Sequence, residues 1–247
     1  MTVLEAETLV ARPDLTPQAE LAVLSRALFR EGWDDYDVGH ITYRQPDGTY
    51  LTQPLELGWD EVRASDIIRM DADGAKLEGR WSLSRFLALH LEFHRAQPGH
   101  DVTVHQHPRY ATIWSAAGRI PPAYDQRSAS LADDDIALYD DFEGGVDDHD
   151  AALAAVAGIG DKPCALLRNH GAFVVGTSIE HAFNRAIALE WRCKQAWLAE
   201  AMGARNIVPA HGHKAITDLI RGAGGISAHL WPWAIRREVR IDPGVLH

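Results

Sequence analysis

The chain of 247 residues is long enough for one sizeable core, and its 46% hydrophobic and 24% charged residues are typical of a soluble globular protein. A formal net charge of -11 argues against nucleic acid and anionic membranes as partners, and no apolar run approaches the roughly 20 residues of a membrane span. Cys164 and Cys193 imply no disulfide framework and the N-terminus lacks signal-peptide features, so we expect a cytoplasmic protein.

The N-terminal half alternates between helical and β-type patterns. A Thr-Pro start with leucines at helical spacing predicts the first helix, and Pro46-Asp47-Gly48 predicts a hairpin turn. The predicted elements, in chain order, are a helix in "TPQAELAVLSRALFREGW", a hairpin in "GHITYRQPDGTYLTQ", a strand or short helix leading into a strand in "ASDIIRMDADGAKLEG", a helix in "SLSRFLALHLEFHRAQ", a strand in "DVTVHQHP" and a helix in "RYATIWSAAG".

The C-terminal half begins with an acidic region, roughly 121–149, that we expect to be irregular. A short helix in "HDAALAAVAGIG", a tight strand–turn–strand in "CALLRNHGAFVVG" and a long helix in "SIEHAFNRAIALEWRCKQAWLAEAMG" follow. We expect one domain over 1–247, with its core at about 20–203 and an irregular extension at 204–247. The pattern predicts an α/β fold with a mostly antiparallel central sheet flanked by helices.

The stretch "VTVHQHPRY" carries His105 and His107 on a predicted strand. Residues i and i+2 of a strand lie on the same face, so both imidazoles can reach one metal ion. Catalytic metals usually take three protein ligands, and His170 in "RNHGA", at the predicted hairpin corner, is the candidate for the third, with Asn169 as a candidate to orient it. The alternative is a solvated strand edge, because H-x-H alone is a weak pattern.

The order and spacing of these motifs resemble the class II aldolase/adducin superfamily over about residues 20–203. "VHQHPRYAT", followed by "ALLRNHGAFVVGTSIEHAF", is similar to the H-x-H pair and the later "NHG" histidine that bind one divalent metal in that family. The resemblance implies a three-layer α/β/α fold and a homotetramer with sites at subunit interfaces. It also implies one divalent metal ion (Zn, Mn or Fe) bound by His105, His107 and His170.

Two departures from the sugar-phosphate aldolases of the superfamily change the expected chemistry. His40 follows Gly39, and "QPLE", ending in Glu56, replaces the phosphate loop, so a phosphorylated substrate is disfavoured. When His90 is matched to the histidine of the family's "P-S-x-E-x-x-x-H" pattern, the position of the acid/base glutamate is Phe86, which cannot transfer a proton.

Other residues are candidates to complete the site. His94 lies one helical turn after His90, and both are candidate catalytic residues, with helix packing as the alternative for each. Tyr110 and Trp114 are candidates for an aromatic wall, with core packing as the alternative. The predicted site comprises catalytic His90, His94 and Tyr110, a substrate pocket of His40, Phe86, Trp114, Arg119 and Gln126, and the metal ligands His105, His107 and His170.

The segment "GRIPPAYDQ", which contains Arg119, Tyr124 and Gln126, resembles a subgroup of the superfamily without the aldolase glutamate and phosphate loop. That subgroup is similar to the proposed non-haem iron oxygenases of aminocoumarin antibiotic pathways. The resemblance therefore brings oxygen chemistry into consideration beside carbon–carbon cleavage.

The tail adds two further motifs. His211 and His213 repeat the H-x-H spacing, and we expect them to be exposed and without function. Trp231, Trp233 and Arg236 are candidates to cap a neighbouring subunit's site, with an ordinary subunit contact as the alternative.

Three functional hypotheses follow. The first is a metal-dependent lyase that decarboxylates, or cleaves by retro-aldol chemistry, an unphosphorylated hydroxy- or keto-carboxylate with aromatic or apolar character. The second is a non-haem Fe(II) oxygenase that uses the same three histidines. The third is a non-catalytic adducin-like module, against which the complete histidine set argues.

Overall fold

The computed structural model describes residues 14–140, 148–222 and 229–247. Residues 1–13, on which part of the signal-peptide expectation rests, and Asp141 and Asp147 of the acidic region lie outside the described residues. The helices in these ranges are α1 (Pro17–Arg30), α2 (Ala88–Ala96), α3 (Arg109–Ala117), α4 (His149–Ile159), α5 (Ile179–Ala201), α6 (Ala210–Gly222) and α7 (Leu230–Ile241). The strands are β1 (His40–Arg44), β2 (Tyr50–Thr52), β3 (Ile68–Met70), β4 (Lys76–Glu78), β5 (Val102–Gln106), β6 (Ile136–Tyr139), β7 (Cys164–Leu167) and β8 (Gly171–Gly176).

These eight strands form one sheet in the order β4-β3-β2-β1-β5-β8-β7-β6. Neighbouring strands are antiparallel except β6 and β7, which are parallel and are connected through α4. The predicted mostly antiparallel sheet is confirmed. The acidic region differs from the irregular segment that the sequence predicts, because its residues 136–139 form the parallel edge strand β6.

Helices cover both faces of the sheet, which confirms the predicted three-layer α/β/α arrangement. α1, α3, α5 and α7 pack on one face around a large core that includes Ile41, Val104 and Val174. α2 and α4 pack on the other face around a smaller core that includes Phe93 and Phe173. Cys164 and Cys193 are free and buried. None of the helices described is both long enough and apolar enough to cross a membrane.

Side chains of β1 and β5 alternate between the two faces of the sheet, and this alternation places polar residues on one of them. Ile41 and Val104, which are paired across the two strands, face the large core. Residues one position away on either side point to the opposite face, beneath α2. The polar pairs on that face are His40 with His105 and Thr42 with Thr103.

The tail also differs from the irregular segment that the sequence predicts, because it forms α6 and α7. Trp231 of α7 is fully buried, with its ring centroid 5.4 Å from that of Phe183, and Arg30 of α1 pairs with Glu238 at 2.8 Å. Pro232 lies in the first turn of α7, where its missing N–H breaks no helical hydrogen bond. The "WPW" motif therefore begins a helix, and Trp231 packs within its own chain rather than over a neighbour's site.

Candidate metal centre

Three histidines converge at one end of the sheet. His105 lies in β5, His107 follows that strand by one residue, and His170 lies in the turn between β7 and β8. Each offers one ring nitrogen, and these nitrogens lie within 4.8 Å of one another. The structure thus brings the predicted trio together as a group that can hold a metal ion.

Hydrogen bonds fix two of these rings through their outer nitrogens. His105 Nδ1 donates to the carbonyl oxygen of Ala172 at 2.9 Å, and His107 Nδ1 donates to the carboxylate of Asp35 at 2.7 Å. Both Nε2 atoms are then left to carry the lone pair that a metal ligand needs. His107 Nε2 is buried without a hydrogen-bond partner, which is costly unless a metal ion satisfies it. The donor set therefore fits a divalent ion.

The turn that carries His170 explains the residues on either side of it. Asn169 has φ +53°, in the left-handed region that asparagine tolerates better than most residues, and its side chain is exposed. A Cβ at Gly171 would lie 2.5 Å from the carbonyl oxygen of Gln106 and 2.7 Å from Cδ2 of His107. Asn169 thus serves the turn through its backbone, and Gly171 allows β8 to approach the metal strand closely.

The cluster lies at the base of a cavity of about 260 Å³. Phe86 and His40 line it, with their ring centroids 6.2 Å apart, and Leu89 of α2 adds apolar surface. None of the described residues that line the cavity is a lysine or an arginine. The complete lining is Asp37, Val38, Gly39, His40, Leu55, Phe86, Leu89, His90, His105, His107 and His170.

Burial lowers the pKa of four of the histidines that line this cavity, His40, His90, His105 and His170, so these four are neutral near pH 7. Desolvation, reinforced by repulsion from neighbouring imidazoles, lowers the pKa of His40 and of His170 to about 4. The same two causes hold the pKa values of His90 and His105 well below the usual range for histidine. Neutral imidazole is the form that binds metals, so His105 and His170 need not lose a proton before they bind an ion at neutral pH.

The two helix histidines proposed for catalysis have different surroundings. His90 is 1% exposed and lines the cavity, with Nδ1 2.6 Å from Thr103 Oγ1 and Nε2 without a hydrogen-bond partner. His94 does not line the cavity, and its two ring nitrogens contact Thr42 Oγ1 and the carbonyl oxygen of His100. His90 can thus contact a molecule bound in the cavity, whereas His94 does not line it.

Four predicted site residues lie away from this cavity. Trp114 is buried in the large core, and its indole N–H donates to the carbonyl oxygen of Cys193, so it packs the core rather than walling the cavity. The other three also have partners elsewhere: Tyr110 packs against Trp197, Arg119 pairs with Glu200, and Gln126 lines a second cavity beside Trp191.

Sequence reasoning missed three residues that support the centre. Asp35 orients His107 across 72 residues of sequence, and Asp37 lies at the mouth of the cavity. Glu190 of α5 accepts the backbone N–H groups of the second and third residues of α3, Tyr110 and Ala111, at 3.0 and 2.9 Å, and so holds that helix just behind His107. Desolvation raises the pKa of Glu190 to about 7. The acidic run "WDDYD" before β1 was the one available signal, since β1 pairs with the metal strand.

Comparison with known proteins identifies the family. Residues 19–197 match the family described as "Class II Aldolase and Adducin N-terminal domain". A 3,4-dihydroxyphthalate decarboxylase of Terrabacter sp. is 31% identical over 227 residues, which cover 86% of this chain and 92% of the relative. A 4-hydroxy-3-prenylphenylpyruvate oxygenase/4-hydroxy-3-prenylbenzoate synthase of Streptomyces roseochromogenus is 30% identical, covering 76% and 70% of the two chains.

The fold agrees with solved structures of the same family. The crystal structure of an aldolase II superfamily protein from Pseudomonas syringae superposes with a TM-score of 0.82 at 26% identity, and the match covers 94% of this chain and 98% of that one. Both relatives described above are enzymes by name, and they share with this chain the region that holds the three histidines. The chain belongs to the class II aldolase and adducin family.

Proposed function

We propose that this chain is a divalent-metal-dependent lyase that decarboxylates an unphosphorylated, hydroxylated aromatic acid, with His105, His107 and His170 as the metal ligands. One observation carries the proposal: a three-histidine cluster opens into a largely apolar cavity that is lined by Phe86, the residue that the family resemblance matches to the acid/base glutamate of the aldolases. Retro-aldol cleavage needs a group that moves a proton from a substrate hydroxyl, whereas loss of CO₂ does not.

The electrostatics of the cavity support an unphosphorylated substrate. A phosphate group is usually bound by lysine, arginine or a cradle of backbone N–H groups, and the described cavity lining has no cationic side chain. Glu56, which stands in the replaced phosphate loop, is exposed and accepts the backbone N–H of Ser82. The walls formed by Leu55, Phe86 and Leu89 suit an aromatic ring instead.

The three proposed imidazole ligands bring no negative charge to a divalent ion, so an anionic substrate is a favourable further ligand. When bound, the ion would polarise the oxygen atoms of the substrate and stabilise the negative charge that builds up as CO₂ leaves. Asp35 keeps His107 oriented, and Phe86 and Leu89 exclude water from the ring. A proton from solvent, which enters beside exposed Asp37, adds to the ring carbon that bears the carboxylate, and the C–CO₂ bond then breaks with its electron pair passing through the ring to the hydroxyl oxygen, so that CO₂ leaves and the ring is aromatic again.

A second candidate is a non-haem Fe(II) oxygenase with the same three ligands. The specific observation in its favour is the relative from Streptomyces roseochromogenus, whose name describes an oxygenase and which is 30% identical to this chain. A face of three histidines with open positions also suits iron that binds a substrate and O₂ together. The lyase is preferred because the Terrabacter relative, named a decarboxylase, matches a larger share of both chains.

Anaerobic turnover with defined metals tests the proposal. Protein stripped of metal and reloaded with Mn²⁺, Zn²⁺ or Fe²⁺ is incubated with 3,4-dihydroxyphthalate and with hydroxybenzoates, and the products are identified by mass. We expect loss of 44 mass units under anaerobic conditions with at least one metal, no turnover by His107→Ala, and normal turnover by His211→Ala, whose imidazole is exposed on α6. Turnover that requires O₂ would establish the oxygenase instead.

We also propose that the chain assembles as a homotetramer. Large apolar side chains at the end of α5 and beyond it are exposed: Trp197 is 42% exposed, Met202 87% and Ile207 55%. Large exposed apolar side chains that lie close together in the sequence are typical of an interface between subunits. Light scattering coupled to size-exclusion chromatography tests this, with a tetramer mass expected and a monomer mass contradicting it.

A further inference from the structure

We propose that a directed hydrogen-bond chain through His94, Thr42 and Thr103 fixes the tautomer of His90, so that an unprotonated Nε2 faces the cavity and selects a substrate hydroxyl at that point. His90 is then a specificity-determining residue, and His94 is a positioning residue. The tautomer of His90 follows from the hydrogen-bond geometry and from the neutrality of buried His94, and it does not depend on the proposed function. The identification of the hydroxyl as that of an aromatic acid rests on the proposed function.

The hydrogen-bond chain consists of four side chains, each within hydrogen-bond distance of the next. His94 Nε2 lies 2.8 Å from Thr42 Oγ1, Thr42 Oγ1 lies 2.6 Å from Thr103 Oγ1, and Thr103 Oγ1 lies 2.6 Å from His90 Nδ1. All four side chains are buried, at 2% exposure or less. The strand pairing of Thr42 with Thr103 and the one-turn spacing of the two histidines on α2 produce this alignment.

The direction of the chain is set at the end remote from the cavity. His94 Nδ1 lies 3.1 Å from the carbonyl oxygen of His100, and a carbonyl oxygen only accepts, so Nδ1 carries the proton. Desolvation lowers the pKa of His94 to about 4, which keeps the ring neutral and leaves Nε2 as an acceptor. Thr42 must therefore donate its single hydroxyl proton to His94.

The direction in which the Thr103 hydroxyl donates follows from this assignment. Thr42 has used its proton and accepts from Thr103, and Thr103 has then used its own and accepts from His90 Nδ1–H. The reverse direction would place a lone pair of His94 Nδ1 against the carbonyl oxygen of His100, or require a buried imidazolium. The chain thus has one favourable orientation, and in it His90 Nε2 bears a lone pair.

That lone pair has no partner among the described residues. His90 Nε2 has no hydrogen-bond partner, and its residue lines the cavity at 1% exposure. His90 is outside the group of three metal-ligating histidines, with its ring centroid 6.4 Å from that of His105. A phenolic or alcoholic hydroxyl can donate to Nε2. A carboxylate placed there would be repelled, because both groups are hydrogen-bond acceptors without a proton to share. The acceptor therefore orients the ring of the substrate by its hydroxyl and leaves the carboxylate to the metal side.

Nuclear magnetic resonance of the zinc-loaded, ¹⁵N-histidine-labelled protein tests the tautomer without any substrate. Long-range proton–nitrogen correlations show which ring nitrogen carries the proton, and the His90 signals are assigned by their loss in His90→Asn. We expect a protonated Nδ1 and an unprotonated Nε2 in the wild type. A proton on Nε2 of His90 in the wild type would overturn the proposal.

Two variants test the transmission along the chain. Thr103→Val removes the acceptor of Nδ1–H, and Thr42→Val frees the Thr103 hydroxyl to donate to Nδ1, so both should shift the His90 tautomer toward Nε2–H. The matched control is Thr52→Val, a buried threonine paired with Thr42 in the neighbouring strand but outside the chain. A His90 spectrum that is unchanged in Thr103→Val contradicts the proposal.

The selection of a hydroxyl is tested with two probes that differ only in that group, 2-hydroxybenzoate and 2-methoxybenzoate. We expect the wild type to prefer the hydroxylated probe by about five- to tenfold, which is the effect of one neutral hydrogen bond, and Thr103→Val to lose that preference. Equal binding of both probes to the wild type contradicts the selection. An Nε2 lone pair combined with a failure to decarboxylate any hydroxylated acid would refute the proposed function and leave the tautomer standing.

Discussion

Removal of the Asp35 carboxylate should weaken metal binding without touching a metal ligand. Asp35 accepts the Nδ1–H of His107 at 2.7 Å, and this contact fixes the ring plane and raises the basicity of Nε2. Such supporting contacts are worth about 10- to 100-fold in metal affinity. The Asp35 and His107 side chains are 35% and 27% exposed, so solvent screens part of the effect. We therefore expect Asp35→Ala to lose about 10- to 30-fold, or about 1.4–2 kcal/mol.

The assay is a competition for Zn²⁺ between the protein and a chromophoric chelator at fixed pH and ionic strength. Asp34→Ala is the matched control, because it removes the same charge from the adjacent, exposed residue. Asp35→Asn keeps an oxygen that accepts from His107 and should lose less affinity than Asp35→Ala. If Asp35→Ala binds Zn²⁺ within twofold of Asp34→Ala, the orienting role of Asp35 is wrong.

Three further predictions concern the centre and its supports. His105→Ala should abolish stoichiometric metal binding by elemental analysis, and an unchanged metal content would show that the ligands are elsewhere. Gly171→Ala should lower metal affinity and destabilise the fold by about 1–3 kcal/mol, because the new Cβ would lie 2.5 Å from the Gln106 carbonyl oxygen. The control is Gly99→Ala, where a new Cβ has nothing within 4 Å. Equal losses of stability in the two variants would contradict the prediction. The metal-free protein should lose stability as the pH falls from 6.5 towards 4, and His94 should account for up to about 3 kcal/mol of this loss. The reason is that His94 becomes protonated in the unfolded chain but stays neutral in the folded one, where burial lowers its pKa. His94→Gln should reduce this pH dependence in chemical denaturation and leave the part due to His40, His90, His105 and His170, and an unchanged pH dependence would contradict the contribution of His94.

The grouping of the three histidines could be predicted because local patterns suggested it and the family resemblance decided against the alternative of a solvated strand edge. Strand alternation places His105 and His107 on one face, and a hairpin corner beside the same strand end delivers His170. A mostly antiparallel sheet flanked by helices was predictable from the alternation of strand and amphipathic-helix patterns, and the three-layer arrangement was implied by the family resemblance.

The supporting contacts could not be predicted because they join distant segments. Asp35 reaches His107 from a loop 72 residues away, and the contact of His94 with Thr42 depends on the packing of α2 over β1. Arg119 was expected in the pocket, but its pairing with Glu200 is decided by where α5 ends. The tail was expected to be irregular because it carries Gly-Gly, His-Gly-His and Trp-Pro-Trp, whereas proline in the first turn of a helix is tolerated.

The stoichiometry of CO₂ and O₂ in a single reaction tests the central claim most directly. A hydroxylated aromatic acid labelled with ¹³C in its carboxyl group is turned over by the metal-loaded protein while ¹³CO₂ and dissolved O₂ are followed together. The proposed lyase predicts one ¹³CO₂ for each product molecule, no consumption of O₂, and loss of both product and ¹³CO₂ in His107→Ala. Consumption of one O₂ for each product molecule, or turnover that persists in His107→Ala, would contradict it.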